Sequence, residues 1–476
     1  MQTFLFPSFF LRIERRLECL LKGLDCFMNP FIRRVRKLTP AQAIVSYYFL
    51  AIAFSVLLLR LPGVHQPGVK ITFIDSIFTA VSAVSVTGLS VLNVSETYST
   101  FGIFMLMLVL QLGGIGIMSL GTFIWLVVGK KIGLRERQLI MMDHNQHSLS
   151  GVVNLIIEII KILLLIEAIG ALLLTLYFTQ FYDTFSEAFI QGLFASVSAT
   201  TNGGFDITGQ SLIMFHNDYF VQIIHMMLII LGAIGFPVLI EVKAFLSNKN
   251  KNFRFSLFTK ITTVTFGLLL LVGTIVILAL EMFNSFRGMS WHEAFFTALF
   301  QSVSSRSGGL VTFDITEFSQ GTNIFMSALM FIGASPSSVG GGIRTTTFAI
   351  AILFLINFAR GKNEIQIFNR EIQLIDVFRS YAVIILAIFM VLVATIALSI
   401  SEPTLPITAI VFEITSAFGT CGMSLGITDQ LSTFGKFLIM ILMFIGRVGL
   451  ISFLFTIGGR STKTKYQFPK ERVIIG

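Results

Sequence analysis

Eight long runs of apolar residues follow one another along the chain, and most of its polar residues are crowded into the segments between them. Four runs (about 41–62, 152–178, 259–282 and 378–401) are each followed by a shorter, half-apolar stretch and then by a second long run (about 102–129, 219–246, 322–358 and 434–459). Each long run has the length of a bilayer-spanning helix, whereas a stretch of about 12 residues is too short to cross and must enter and return. The pattern predicts an all-α integral membrane protein. An even number of crossings per unit makes the four units parallel repeats, with eight transmembrane helices and four re-entrant helices around a central pore.

Composition agrees: 54% of residues are hydrophobic and 12% charged, too apolar for a soluble core. Most of the 34 Lys and Arg residues fall before residue 40, in 130–137, in 243–260, in 360–379 and after residue 459. Basic segments that alternate with pairs of spans are cytoplasmic by the positive-inside rule, which accounts for the net charge of +9 without any nucleic acid. Both termini are therefore expected in the cytoplasm of a multi-pass cell-membrane protein. The boundaries that follow are a segment 1–39, repeats at 40–130, 131–247, 248–360 and 361–459, and a tail 460–476. In the first segment no cleaved signal is expected, and Leu11, Ile13, Leu17, Leu20, Leu21 and Leu24 recur at helical spacing between basic residues, as in an amphipathic helix on the membrane surface or on another subunit. Cys19, Cys26 and Cys421 form no disulfide framework.

The four short stretches share a register. Phe78, Phe194 and Phe412 stand ten residues, and Ser82, Ser198 and Ser416 six residues, before Gly88, Gly204 and Gly422; in the third unit Phe300 and Ser304 precede Gly309 with one residue fewer. A bulky apolar residue follows each glycine (Leu89, Phe205, Leu310, Met423), and the returning runs contain Leu112-Gly-Gly-Ile-Gly116, Leu231-Gly-Ala-Ile-Gly235, Ile332-Gly-Ala-Ser-Pro336 and Ile445-Gly-Arg-Val-Gly449. A re-entrant backbone must be buried in protein or line water. Its short helix points a partly negative C-terminus at the membrane centre, and a glycine turn there can aim carbonyls, which are cation ligands, into an axial space. The candidate selectivity filter comprises Val86, Thr87 and Gly88; Thr201, Asn202, Gly203 and Gly204; Ser307, Gly308 and Gly309; and Thr420, Cys421 and Gly422. One such glycine would read as a helix-packing contact; four in register read as a filter.

The third returning run is the exception. As one helix it would extend about 55 Å, nearly twice a hydrocarbon core. Its middle, 333–345, has loop composition, with Gly333, Ala334, Ser335, Pro336, Ser337, Ser338, Gly340, Gly341 and Gly342 forming a candidate obstruction below the filter. Arg447 occupies the register of Gly114, Ala233 and Ala334, and is expected to act as a barrier in the pathway, as a latch on the loop carbonyls, or in an ion pair with a neighbouring helix. Arg306 and Glu413 are expected to pair as scaffold, and Glu158, Lys161 and Glu167 to form a local charge cluster.

With turns Ser-Val-Thr-Gly-Leu (85–89), Thr-Asn-Gly-Gly-Phe (201–205), Ser-Gly-Gly-Leu (307–310) and Gly-Thr-Cys-Gly-Met (419–423), the four M1-P-M2 units resemble the Trk/Ktr/HKT superfamily of K⁺ transporters over about residues 38 to 476. Without the extra N-terminal hairpin of the Trk proteins, the chain looks most like the membrane subunit of a bacterial Ktr system. The resemblance implies K⁺ uptake, often Na⁺-dependent, by a homodimer with one pore per protomer, docked on a cytoplasmic ring of RCK subunits that bind nucleotide. It also implies that the loop at 333–345 is a gate. Serine at the first filter glycine marks Na⁺-favouring plant relatives; here Gly88 makes K⁺ the expected ion.

No enzyme is expected. The six histidines form no HExxH pattern, and only His144 and His147 have metal-like spacing. No P-loop is present, so nucleotide is expected on a partner and not on this chain. Two other classes stay open: an ion-coupled secondary transporter with alternating access, which commonly uses inverted repeats, and a membrane scaffold without transport.

Overall fold

The computed structural model describes residues 39–116, 119–122, 137–138, 141, 151–247, 253–362, 364–450 and 453–454. The N-terminal amphipathic segment, the basic tail, Cys19, Cys26, His144 and His147 lie outside these. Among the described residues four helices are long and apolar enough to cross a bilayer: α1 (Pro40–Leu59), α4 (Val152–Phe178), α8 (Leu257–Glu281) and α12 (Leu374–Ser401). Each carries exposed apolar side chains, such as Leu57, Leu172, Leu271 and Phe389, for which lipid is the fitting solvent. The protein is a multi-pass helical membrane protein.

After each long helix comes a short one: α2 (Phe73–Ser85), α5 (Phe185–Thr200), α9 (Trp291–Ser304) and α13 (Ile407–Gly419). Most residues of these helices are buried, and Thr72 and Thr184 start two of them by accepting from the backbone N–H three residues on. An inner helix follows each: α3 (Thr100–Ile115), α6 (Tyr219–Ala233), α10 (Gln320–Phe331) and α14 (Thr433–Val448). Polar ties at one end fix the angle between long and inner helix. Glu281 accepts from Ser319 N at 2.9 Å, Glu402 from Ser432 N at 2.9 Å, Tyr177 donates to Asp218 at 2.8 Å, and Ser99 N donates to Val64 O at 2.9 Å. Asp75 and Lys436, 2.9 Å apart, join the start of α2 to α14.

The apolar cores interlock. Phe194 and Phe205 lie in a cluster with Val84, Leu106 and Leu110; Phe300 and Leu310 with Leu174, Leu228 and Ile229; Phe412 and Met423 with Ile277, Met326 and Met330. Phe78 and Leu89 close the circle against Ile410, Ile414 and Leu442. Each short helix thus plugs its phenylalanine, and the bulky residue after its glycine, into the core of the preceding long and inner helices. Phe412→Ala, emptying a wholly buried site, should cost about 3–5 kcal/mol and lower the thermal midpoint in detergent, whereas Phe389→Ala on the exposed face should leave it nearly unchanged. Equal midpoints would show that these plugs carry no stability.

The inner helices depart from the expected runs. Only the third was expected to break, yet none continues straight through. α3 and α14 end at Gly116 and Gly449, both at φ 88°, and α6 meets α7 (Phe236–Ser247) at a 104° bend beside Gly235, φ 103°. In the third run Pro336 stands at that register, and the break widens into the buried segment between α10 and α11 (Thr345–Ala359). A positive φ interrupts the i→i−4 ladder, and the last glycine of the five-residue register supplies it without a Cβ clash.

Candidate functional site

The four short helices end in turns of one geometry. The first and third turn residues have positive φ: Val86 (57°) and Gly88 (92°), Asn202 (52°) and Gly204 (67°), Ser307 (74°) and Gly309 (72°), Thr420 (48°) and Gly422 (95°). Thr87, Gly203, Gly308 and Cys421 lie between them, without positive φ. For β-branched Val86 and Thr420 this is a costly conformation, of the sort retained where the surroundings enforce it. The enforcing bonds come from the serine in register. Thr87, Gly203, Gly308 and Cys421 each donate their N–H to the carbonyl of Ser82, Ser198, Ser304 or Ser416, at 2.7–2.8 Å. The hydroxyls of Ser82 and Ser416 accept from Gly88 N and Gly422 N at 3.1 Å, while those of Ser198 and Ser304 donate to Phe205 O and Leu310 O at 2.5 Å. Thr201 sits outside the three-residue turn, capping α5 with its hydroxyl on Val197 O at 2.7 Å.

The turns meet in a closed ring. A Cβ built on Gly88 would stand 2.7 Å from Gly203 O and 2.8 Å from the Cα of Gly204; one on Gly204 would lie 3.2 Å from the Cα atoms of both Gly88 and Gly309. One on Gly309 would meet Cys421 O at 2.5 Å, and one on Gly422 would meet Thr87 O and lie 3.1 Å from the Cα of Gly88. Peptide oxygens of Thr87, Gly203 and Cys421 therefore face neighbouring turns, and the ring has no room for a side chain. The inner helices support it from outside: Gly113 abuts Val84 O and Ala83 O, Gly232 abuts Thr200 O, and Gly446 abuts Phe418 O. These contacts explain why a glycine recurs at that register.

The segment 333–341 is buried next to the ring. Gly341 N donates to the hydroxyl of Thr420 at 2.7 Å, and Gly340 stands close to Ser307. Ser335 N and Val339 N donate to Ala233 O and Gly232 O at 3.1 and 3.2 Å, Gly342 N to Gly446 O at 3.3 Å, and Phe236 N to Ser337 O at 2.9 Å. Arg344 holds the segment from within, donating to Ser335 O at 3.4 Å and to Gly340 O. Arg447 donates to Val339 O and to Gly113 O, bonding the segment to α3. Among the described residues Arg447 is in no ion pair, and its partners are one carbonyl of the segment and one of α3.

Arg306 and Glu413 do not form the expected pair. The wholly buried Arg306 donates to Ile332 O at 2.6 Å and Gly333 O at 3.3 Å, where α10 breaks; Glu413 accepts from Ser424 at 2.7 Å and Thr428 at 2.5 Å. Carbonyls freed by the broken helix take the guanidinium, so Arg306 anchors the start of the loop. The expected charge cluster also divides. Glu158 binds Lys161 at 3.5 Å and Lys243, whereas Glu167 is buried and bonded to Gln111 at 2.6 Å.

Residues 37–460 match the family described as TrkH, cation transport protein. The Ktr system potassium uptake protein D of Bacillus subtilis is 56% identical over 446 residues, covering 94% of this chain and 99% of that protein. The potassium/sodium uptake protein NtpJ of Enterococcus hirae is 32% identical, covering 93% of this chain and 99% of that one. The crystal structure of the potassium transporter TrkH from Vibrio parahaemolyticus superposes with a TM-score of 0.69 at 17% identity, covering 88% and 85% of the two chains, and so shares the fold. With its sequence matched over nearly its whole length and its glycine turns drawn into one ring, this chain belongs to the TrkH family of cation transport proteins.

Proposed function

We propose that the protein takes up K⁺ through a pore formed by four M1-P-M2 repeats, with eight transmembrane and four re-entrant helices. In this reading the ring at Gly88, Gly204, Gly309 and Gly422 is the selectivity filter, and the segment 333–345 with Arg447 is the gate. The observation that carries the reading is the closed ring of four positive-φ glycine turns, each at the C-terminus of a short helix, where helix dipoles and carbonyls favour a dehydrated cation. The names of the relatives supply the ion: potassium uptake for the Ktr protein, potassium and sodium for NtpJ. From the distribution of basic segments we assign both termini to the cytoplasm, and from the resemblance to Ktr systems the active form to a homodimer on a nucleotide-binding RCK-type ring, with Na⁺-dependent uptake.

The test is K⁺ flux into liposomes carrying the purified protein, read with a fluorescent K⁺ reporter, beside complementation of a K⁺-uptake-deficient cell with and without an RCK subunit. Flux that follows the K⁺ gradient supports the pore. Obligatory exchange, in which K⁺ entry requires an ion on the other side, would favour alternating access, for which the breaks at Gly116, Gly235 and Gly449 are suited discontinuities. No flux in a folded protein would leave a scaffold.

A further inference from the structure

Glu167 lies in the middle of α4, 5% exposed, and belongs to no ion pair among the described residues. Its partner is neutral: Gln111 Nε2, on α3, donates to Glu167 Oε2 at 2.6 Å. The oxygen left over on each group, Glu167 Oε1 and Gln111 Oε1, is buried and meets no donor among the described residues. Two orphaned acceptors on one bonded pair are what a missing hydrogen atom produces, since both are served if the carboxyl holds a proton.

We propose that Glu167 is a proton-binding site: the neutral acid donates from Oε1 to Gln111 Oε1 while accepting from Gln111 Nε2, closing a two-bond acid–amide ring. Among the described residues no cation is paired with Glu167, and Arg447, which reaches α3, donates to Val339 O and Gly113 O. α3 carries no ionisable residue, α5 has Glu187 near its N-terminus, and α6 has His225, whose Nδ1 faces Val221 O. α7 has Glu241, which accepts from Ser256 N, and Lys243, which holds Glu158; Lys161 on α4 is likewise with Glu158. An ionised carboxylate there would stand unpaired in an apolar region, at a cost of several kcal/mol. The site is a junction. Gln111 precedes Gly113, which backs the first glycine turn, and the carbonyl of Glu167 accepts from Ser196 on α5 at 2.8 Å. The proton thus fastens the wall behind the first turn to the helix that carries the second.

Infrared spectroscopy of the full-length protein in liposomes tests this without reference to transport. The parent should show a protonated-carboxyl C=O band that moves in D₂O, and Glu167→Gln should lose the intensity of one carboxyl from it. Gln111→Leu, which removes the acceptor and spares the acid, should shift that component to higher frequency. Equal band intensity in parent and Glu167→Gln would show an ionised Glu167 and overturn the proposal. If Glu167→Gln does not fold, an unshifted band in Gln111→Leu has the same force.

Discussion

Excising Ser335 to Gly342 should give a folded protein whose K⁺ flux exceeds the parent's by about tenfold or more at the same gradient, a change that needs only about 1.4 kcal/mol off the barrier. The excised ends already lie together: Ala334 N donates to Gly341 O at 3.2 Å, Thr345 N to Ala334 O at 3.3 Å, and Gly333 and Gly342 touch. Joining Ala334 to Ile343 therefore closes a short gap. What is lost is the set of bonds that the segment makes with Gly232, Ala233, Thr420 and Gly446, each worth about 0.5–1.5 kcal/mol. Arg447→Gln removes the latch to Val339 and should also raise flux, by less than the deletion. Combined with the deletion it should gain less than the product of the two single effects, because its loop acceptor has gone. Thermal midpoint and liposome flux decide. A stable deletion variant that transports no faster shows that the segment is no gate, and independent effects would separate Arg447 from it.

In Gly88→Ser, K⁺ over Na⁺ discrimination should fall by about tenfold or more, with K⁺ uptake reduced. The substitution places a side chain at φ 92° against Gly203 O and the Cα of Gly204. Neither backbone atom can move aside without shifting the next turn, and the strain of a non-glycine residue there is about 1–3 kcal/mol. Gly426→Ser is the control: φ is 77°, yet nothing lies within 4 Å. Uptake of K⁺ in competition with Na⁺ should change in the first variant and hold in the second. Unchanged discrimination in both would remove Gly88 from the selective part of the pathway.

The ring could be read from the sequence because its demands are local: the third turn residue, at positive φ and against the next turn, is glycine in all four, and the helix before it repeats Phe and Ser at fixed offsets. The reason for those offsets could not, since Phe78 finds its pocket among residues more than three hundred positions away. The loop in the third returning run was legible from Pro336 and consecutive glycines. The breaks at Gly116, Gly235 and Gly449 were not, because a glycine in an apolar run fits a helix-packing contact as well as a bend. Charges misled for a related reason. Arg306 and Glu413 invite pairing by sign, but Arg306 is served by carbonyls at the end of α10 and Glu413 by hydroxyls, neither of which carries a charge signal. Glu167 was grouped with Glu158 and Lys161 by helical spacing alone, and only its depth separates it.

The circular plugging of the cores also orders the biogenesis of the chain. As synthesis proceeds, Phe194, Phe300 and Phe412 each enter a core whose long and inner helices have already been made, but Phe78 and Leu89 need Ile410, Ile414 and Leu442. The first glycine turn to leave the ribosome is accordingly the last to be walled in. Until α14 is inserted and Lys436 reaches Asp75, Phe78 and Leu89 lack the core that covers them. In nascent chains arrested at increasing lengths, a cysteine probe at position 78 should stay open to modification until the chain has passed residue 442, while one at position 194 closes far earlier.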